Sequence, residues 1–179
     1  MSHVARLFAL YPDIHLFPIR PRGKEPLSGY KWKDTKLTHA EAVHWEEQNH
    51  KLGLIPWSIG CAVIDVDAWE GEDLGEYTRT RRASYATPSG GYHIFYDISH
   101  PIDQYHWKNA QGHGETRCKD GYVVVHDIAS LAQHLEKHTA KPVEVAVLKA
   151  AFPLPERQPP QPPPNGHDAS KHTLSLIHI

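Results

Sequence analysis

The stretch "CAVIDVDAWEG", residues 61–71, decides how the chain is read. An apolar run normally stops at turn residues. This one ends in two aspartates, Asp65 and Asp67, one residue apart. Side chains on a strand alternate with period two, so Asp65, Asp67 and Val63 share one face and Ile64 and Val66 take the other. Ile64 and Val66 can enter a core. The two carboxylates then stand ~7 Å apart on one face, where a hard divalent cation such as Mg²⁺ or Mn²⁺ can cancel their repulsion. Read alone, the pair fits a solvated strand end capping the next turn more readily than a metal site. The remaining sequence has to decide.

Composition sets the outer limits. The chain has 179 residues, 40% hydrophobic and 22% charged, which suits one globular domain with a tail. A net charge of −2 means that any contact with nucleic acid must come from local basic clusters. The 15 histidines are scattered. Cys61 and Cys118 stand alone, which excludes a disulfide framework and a C-x-x-C zinc site, so no zinc is expected and reduced, intracellular chemistry fits. No h-region and no run of 18 apolar residues is present, so neither secretion nor membrane spanning is expected.

Outward from the Asp pair, the pattern alternates irregularly between helix and strand. "SHVARLFALYP" has helical spacing, with Ser2 as cap and Pro12 as stop. "IHLFPI" reads as a short strand, followed by the basic loop "RPRGKEPLSGYKWKD". Thr38 and Glu41 form a capping box for a helix expected to run to about Lys51, before Gly53. "EGEDLGEYTRTRR" is polar and irregular, and "YHIFYDI" is a strand. "ETRC" and "YVVVH" flank Asp120-Gly121, a hairpin signal. Asp127 caps a helix carrying Ile128, Leu131 and Leu135 on one face, and "VEVAVLKAAF" is apolar with no assigned type. The order favours an α+β fold with a mostly antiparallel sheet flanked by helices. Residues 1–152 form the folded domain, and 153–173 a Pro-rich disordered linker. Residues 174–179, "LSLIHI", look like the translation of a sequencing-library adapter, which would make the gene truncated. They are excluded from fold reasoning.

Four further features bear on chemistry. "TPSGGYHIFY", residues 87–96, places Ser89, Gly90 and Gly91 in a tight turn whose amides suit phosphate oxygens. Alternation sets His93 and Phe95 opposite an apolar face of Tyr92, Ile94 and Tyr96, so His93 is expected to point outward; an ordinary hairpin turn with a surface histidine reads equally well. In "GETRCKDGYVVV", residues 114–125, Glu115 and Arg117 share a strand face, either as a third carboxylate and a phosphate-neutralising cation or as a structural ion pair. Tyr122 can meet a sugar or base, or lie in the core. Arg20, Arg22 and Lys24 make a basic loop, and Arg81 and Arg82 close a similar patch, "RTRR". With Tyr30, Trp32 and Tyr85 nearby they can contact nucleic acid, or be solvated surface.

Taken in order, these features resemble the bifunctional primase-polymerase domain of the archaeo-eukaryotic primase superfamily. The resemblance covers residues 3–150. It rests on Pro21 to Pro26 with Lys24, Trp32, Asp65 with Asp67, Ser89 to His93, and Glu115 with Arg117. It implies a primase-polymerase fold related to the RNA-recognition motif. It further implies that Asp65, Asp67 and Glu115 hold two Mg²⁺ or Mn²⁺ ions, with His93 completing the catalytic set. Ser89, Gly90, Gly91 and His93 would bind an incoming dNTP or rNTP, Arg117 and Lys24 would neutralise it, and Tyr122 would lie near its sugar or the template. The partners implied are single-stranded or primed DNA and a C-terminal helicase or other replication domain, in phage- or plasmid-type replication, in the cytoplasm of a prokaryote or a virus-infected host. Many members carry aspartate where Glu115 stands, and "NHKLGLIPWSIG" departs from the family's glycine-rich run. The same carboxylates with His93 as acid or base also fit a metal-dependent nuclease or phosphohydrolase. A non-catalytic DNA-binding initiator module ranks third.

Overall fold

The computed structural model describes residues 1–71, 83–137, 142–157 and 159–163, with backbone only at 83–85 and 137. Among them, two antiparallel sheets and four α-helices form an α+β fold. The larger sheet has the order β4-β5-β3-β7-β6, with β3 spanning Cys61–Trp69, β4 Ala83–Ala86, β5 Tyr92–Asp97, β6 His106–Lys108 and β7 Gly112–Arg117. The smaller has the order β1-β2-β8, from Leu16–Pro18, Leu52–Leu54 and Val123–Val125. Helix α1 is His3–Leu10, α2 His39–Glu47, α3 Ile128–Lys137 and α4 Val145–Ala151.

Local chemistry explains the helix starts. Ser2 Oγ accepts from the Ala5 amide at 2.9 Å, and Thr38 with Glu41 closes the capping box at α2. Asp127 Oδ1 accepts from the Ser130 amide at 2.9 Å to open α3. Helix α2 stops at Glu47, short of Lys51, and Asn49 follows with φ 57°. Such a left-handed residue ends a helix by turning the chain away from its axis.

β3 is the axis of the fold. Val63 and Phe95 pack with α1, α3 and the small sheet through Leu7, Leu54, Val123 and Leu131. Ile64, Val66, Ile94 and Tyr96 pack on the opposite face with Trp107, Leu148 and Phe152. The alternation expected for β3 is therefore correct, but both faces are covered. Both cysteines are buried, and desolvation pushes their thiols up, so neither is a ready nucleophile.

Three expectations need correction, and one unassigned stretch gains a type. Asp120-Gly121 does not join a hairpin: β7 is already paired on both edges, by β3 and β6, so the chain crosses to the other sheet and β8 pairs with β2. "LGL" is a strand rather than a helix stop, with Gly53 opposite Phe17 in the β1 register. "ASYA", left unassigned by the sequence, is a strand, β4, paired to β5. His93 is 5% exposed rather than outward-facing, because its face is the one that the small sheet covers.

A fold centred on β3 predicts a specific loss. Val63→Ala, which removes two methyl groups from a fully buried site, lowers unfolding free energy by about 2 kcal/mol. Urea denaturation reads it as a lower midpoint at an unchanged m-value.

Candidate active site

The register of three neighbouring strands assembles the site. Asp65 on β3 lies opposite His93 on β5 and, on its other edge, opposite Glu115 on β7. His93 Nε2 stands 3.4 Å from Asp65 Oδ1. Glu115 is paired with the Arg117 guanidinium, accepts from Gln104 Nε2 at 3.3 Å and has His106 Nδ1 at 3.3 Å.

Asp67 arrives differently. Val66 opposes Gly114 and Ala68 opposes His113, so Asp67 is the extra residue of a β-bulge. Bulges re-aim side chains at sheet margins. Here Asp65 and Asp67 still open into one cleft of about 180 Å³, facing Lys24, Ser89, His93, Arg117 and Tyr122. Two glycines let the strands close up beside the aspartates. A Cβ at Gly91 would stand 2.1 Å from the Val66 carbonyl oxygen, and one at Gly114 1.8 Å from that of Asp65.

The Ser-Gly-Gly turn spends its amides internally. Gly90 N–H donates to the Thr87 carbonyl at 3.0 Å and Gly91 N–H to Thr87 Oγ1 at 3.1 Å, while Gly90 takes φ 89°. The expected amide cradle is thus closed at those two positions. The side chains of Thr87 and Ser89, whose hydroxyls lie 3.3 Å apart, line the cleft instead.

Two cations line the same cleft. Lys24 comes from the basic loop and Arg117 from β7. Tyr122 Oη donates to the Lys24 carbonyl at 3.1 Å, and its ring sits edge-on to Phe17 and Trp32 at 5.2 and 4.9 Å. Trp32 also stacks on Phe17, and Lys33 Nζ lies 5.3 Å from its ring centre. Arg20 and Arg22 are exposed on a separate groove with Pro21, Gly23 and Glu25, so the structure does not bring them to the cleft. Arg81 and Arg82 lie outside the described residues.

Sequence reading missed Thr87, His126, and Gln104 and His106, two of the three groups that hold Glu115. His126 lines the cleft beside Tyr122 and Val124, and its period-two relation to Tyr122 was the available signal. Burial pushes its imidazole pKa down, as do His93, Lys51 and Lys24, against an opposing pull from Asp65.

The carboxylates carry the reverse charge problem. The Asp67 carboxyl is held above the ordinary range, first by desolvation and then by Asp65 and Glu115, with His113 and Arg117 opposing. Among the described residues, no three His, Cys, Asp or Glu side chains converge tightly enough to enclose a metal ion. Even so, the hard oxygen donors of Asp65 and Asp67, with Asp67 destabilised by neighbouring carboxylates, fit a divalent cation's chemistry.

The Asp67 shift has a direct thermodynamic consequence. A carboxyl with a raised folded-state pKa binds protons more tightly when folded, so it costs stability as pH rises from the unfolded value through the folded one. Asp67→Asn therefore raises the unfolding midpoint at pH 7 in metal-free buffer. The gain disappears below the ordinary carboxylate pKa, which thermal melts across pH will show.

No curated protein matches the chain. A family model does match: the bifunctional DNA primase/polymerase N-terminal domain, over residues 7–164 of the 179. The matched span takes in both sheets, the basic loop, the Asp65 strand, the Ser-Gly-Gly turn and the Glu115 strand. With that match and an α+β architecture of antiparallel sheets flanked by helices, the chain belongs to the bifunctional DNA primase/polymerase family and has its primase-polymerase fold.

Proposed function

We propose that the cleft between β3 and the basic loop is the nucleotidyl-transfer site of an enzyme that makes primers or extends DNA from dNTPs or rNTPs. One observation carries the reading. A single cleft is lined by the carboxylates Asp65 and Asp67 together with Lys24, Arg117 and His93. A triphosphate needs both kinds of group, cations for its oxygens and carboxylates for the metals.

Asp65 and Asp67, with Glu115 beside them, would hold two Mg²⁺ or Mn²⁺ ions, which supply activation of a 3′-hydroxyl and neutralisation of developing charge. The chain's own residues do the rest. The hydroxyls of Thr87 and Ser89 and the His93 imidazole donate to phosphate oxygens, with Gly90 and Gly91 shaping the turn that presents them. Arg117 and Lys24 offset the triphosphate charge. The Tyr122 ring, backed by Phe17 and Trp32, offers an aromatic edge to sugar or base. Primed or single-stranded DNA is the template, and Arg20, Arg22 and the Arg81-Arg82 patch are its candidate backbone contacts. A C-terminal helicase, phage or plasmid replication and a cytoplasmic setting complete the reading.

Primer extension on a DNA template with Mg²⁺ or Mn²⁺ tests it. Wild type lengthens the primer, and Asp65→Ala with Asp67→Ala lowers the rate at least about a thousandfold, matching the several kcal/mol that metal ions contribute. Primer shortening instead would establish the nuclease reading, and DNA binding without synthesis the initiator module.

Metal binding itself gives a second test. Because the Asp67 carboxyl is held above the ordinary range, a cation that binds it in acid buffer displaces more proton than one binding an unshifted aspartate would. Calorimetric Mn²⁺ titrations in two buffers of different ionisation enthalpy should differ in apparent heat. Equal heats would mean that Asp67 is not a ligand.

A further inference from the structure

The loop that brings Lys24 to the cleft is held in two ways. At its base, Ile19 bridges Pro26, and the Arg20 amide donates to the Glu25 carbonyl at 2.9 Å. These contacts close the loop but leave its tip, Gly23 and Lys24, without a bond to the body of the protein. Two side chains from the small-sheet side supply those bonds. Lys51, next to β2, donates its Nζ to the Gly23 carbonyl. Tyr122, preceding β8, donates its hydroxyl to the Lys24 carbonyl at 3.1 Å. Two consecutive carbonyls at the tip are therefore gripped from two different elements.

Both anchors are themselves fixed. The Lys51 carbonyl accepts from the Ile19 amide at 3.2 Å and from Trp45 Nε1 at 2.9 Å, so its backbone joins α2 to the end of β1. The Tyr122 ring is wedged against Phe17 and Trp32. Lys24, by contrast, is exposed and has a long flexible stem. Such a side chain loses rotamer freedom when it engages a ligand, and a fixed backbone reduces what remains to be ordered.

We propose that Lys51 and Tyr122 are positioning residues: they clamp the tip of the basic loop so that Lys24 is presented to the nucleotide's phosphates. The proposal rests on the nucleotidyl-transfer reading of the cleft. It gives Lys51 a task distinct from direct phosphate contact, because its ammonium is spent on a neutral carbonyl. It gives Tyr122 a second task through its hydroxyl, separable from whatever its ring does. The clamp acts on binding, so its loss should fall on KM for the nucleotide and spare kcat.

Lys51→Met and Tyr122→Phe test it, with Lys51→Arg as the variant that keeps the donor. The expected result is a rise of about fivefold in nucleotide KM for each loss, kcat within about twofold of wild type, and recovery in Lys51→Arg. In a Lys24→Met background, Lys51→Met should add less than about twofold, because the group it positions is gone. Full additivity, or a fall in kcat alone, overturns the proposal. A second measurement needs no activity. Arg22 and Lys24 are exposed residues of the type trypsin cuts after, and the clamp should protect both sites. Cleavage there at least about fivefold faster in Lys51→Met and Tyr122→Phe, with unfolding midpoints kept, is the expected outcome. Unchanged cleavage overturns the clamp. A wild type that incorporates no nucleotide overturns the nucleotidyl-transfer reading instead, and the cleavage rates still decide whether the clamp exists.

Discussion

Strand β3 is hydrogen-bonded along both edges and covered on both faces from Cys61 to Ile64. A strand in that position tolerates polar groups only where neighbours can meet them, since an unpaired buried charge is costly. Asp65 is the first charged residue along it. Its two cross-strand neighbours are His93 and Glu115, and its own face leads out of the core into the cleft. The register of the sheet and the composition of the site are thus one constraint. A one-residue slip would turn Asp65 toward Ile64's apolar surroundings and push Ile64 into the cleft, which a sheet covered on both faces cannot accept.

The small sheet follows from the same constraint. The face of β3 that carries Val63 and Asp65 needs an apolar cover at one end and a polar one at the other. The small sheet and its flanks supply both. Val123 and Val125 pack over Val63 and Phe95, while Tyr122 and His126 border the cleft. The basic loop leaves β1 and returns over this border, so Lys24 and the aspartates line one cleft at the seam between the two sheets. Neither sheet alone contains the site. Opposite charges that come from different sheets also pull the two halves together, although exposed charges such as Lys24 contribute only modestly in water.

How much of this could be read from the chain depended on the range of each interaction. Period-two alternation correctly sorted Val63 from Ile64 and Glu115 with Arg117, because it is a property of one strand. Caps at Ser2, Thr38 and Asp127 were legible because they act over three residues. What failed was pairing. Asp120-Gly121 carries a hairpin's local chemistry, yet β7 had no edge left to offer β8. The burial of His93 failed for a related reason: its strand identifies two faces, but only the presence of a second sheet shows that both are covered. His126 went unread because its only local mark is the period-two relation to Tyr122, and its surroundings come from three other segments, through His93, Lys51 and Lys24.

The Ser-Gly-Gly turn shows how a motif can keep its position while changing its means. Gly90 and Gly91 allow the turn to fold back tightly enough that Thr87 takes up both of their amides. What then faces the cleft is a pair of hydroxyls rather than an amide nest. Hydroxyls rotate and can donate or accept, so they adapt to an oxygen's position in a way that fixed amides do not. The fixed direction in the proposed phosphate site must then come from elsewhere. His93, buried beside Asp65, and Arg117, tied to Glu115, are the rigid donors available. Each is held by a carboxylate that we propose as a metal ligand. On the proposed reading, metal binding and phosphate binding in the cleft are not independent: whatever draws charge from Asp65 or Glu115 also loosens the group that would meet the phosphate.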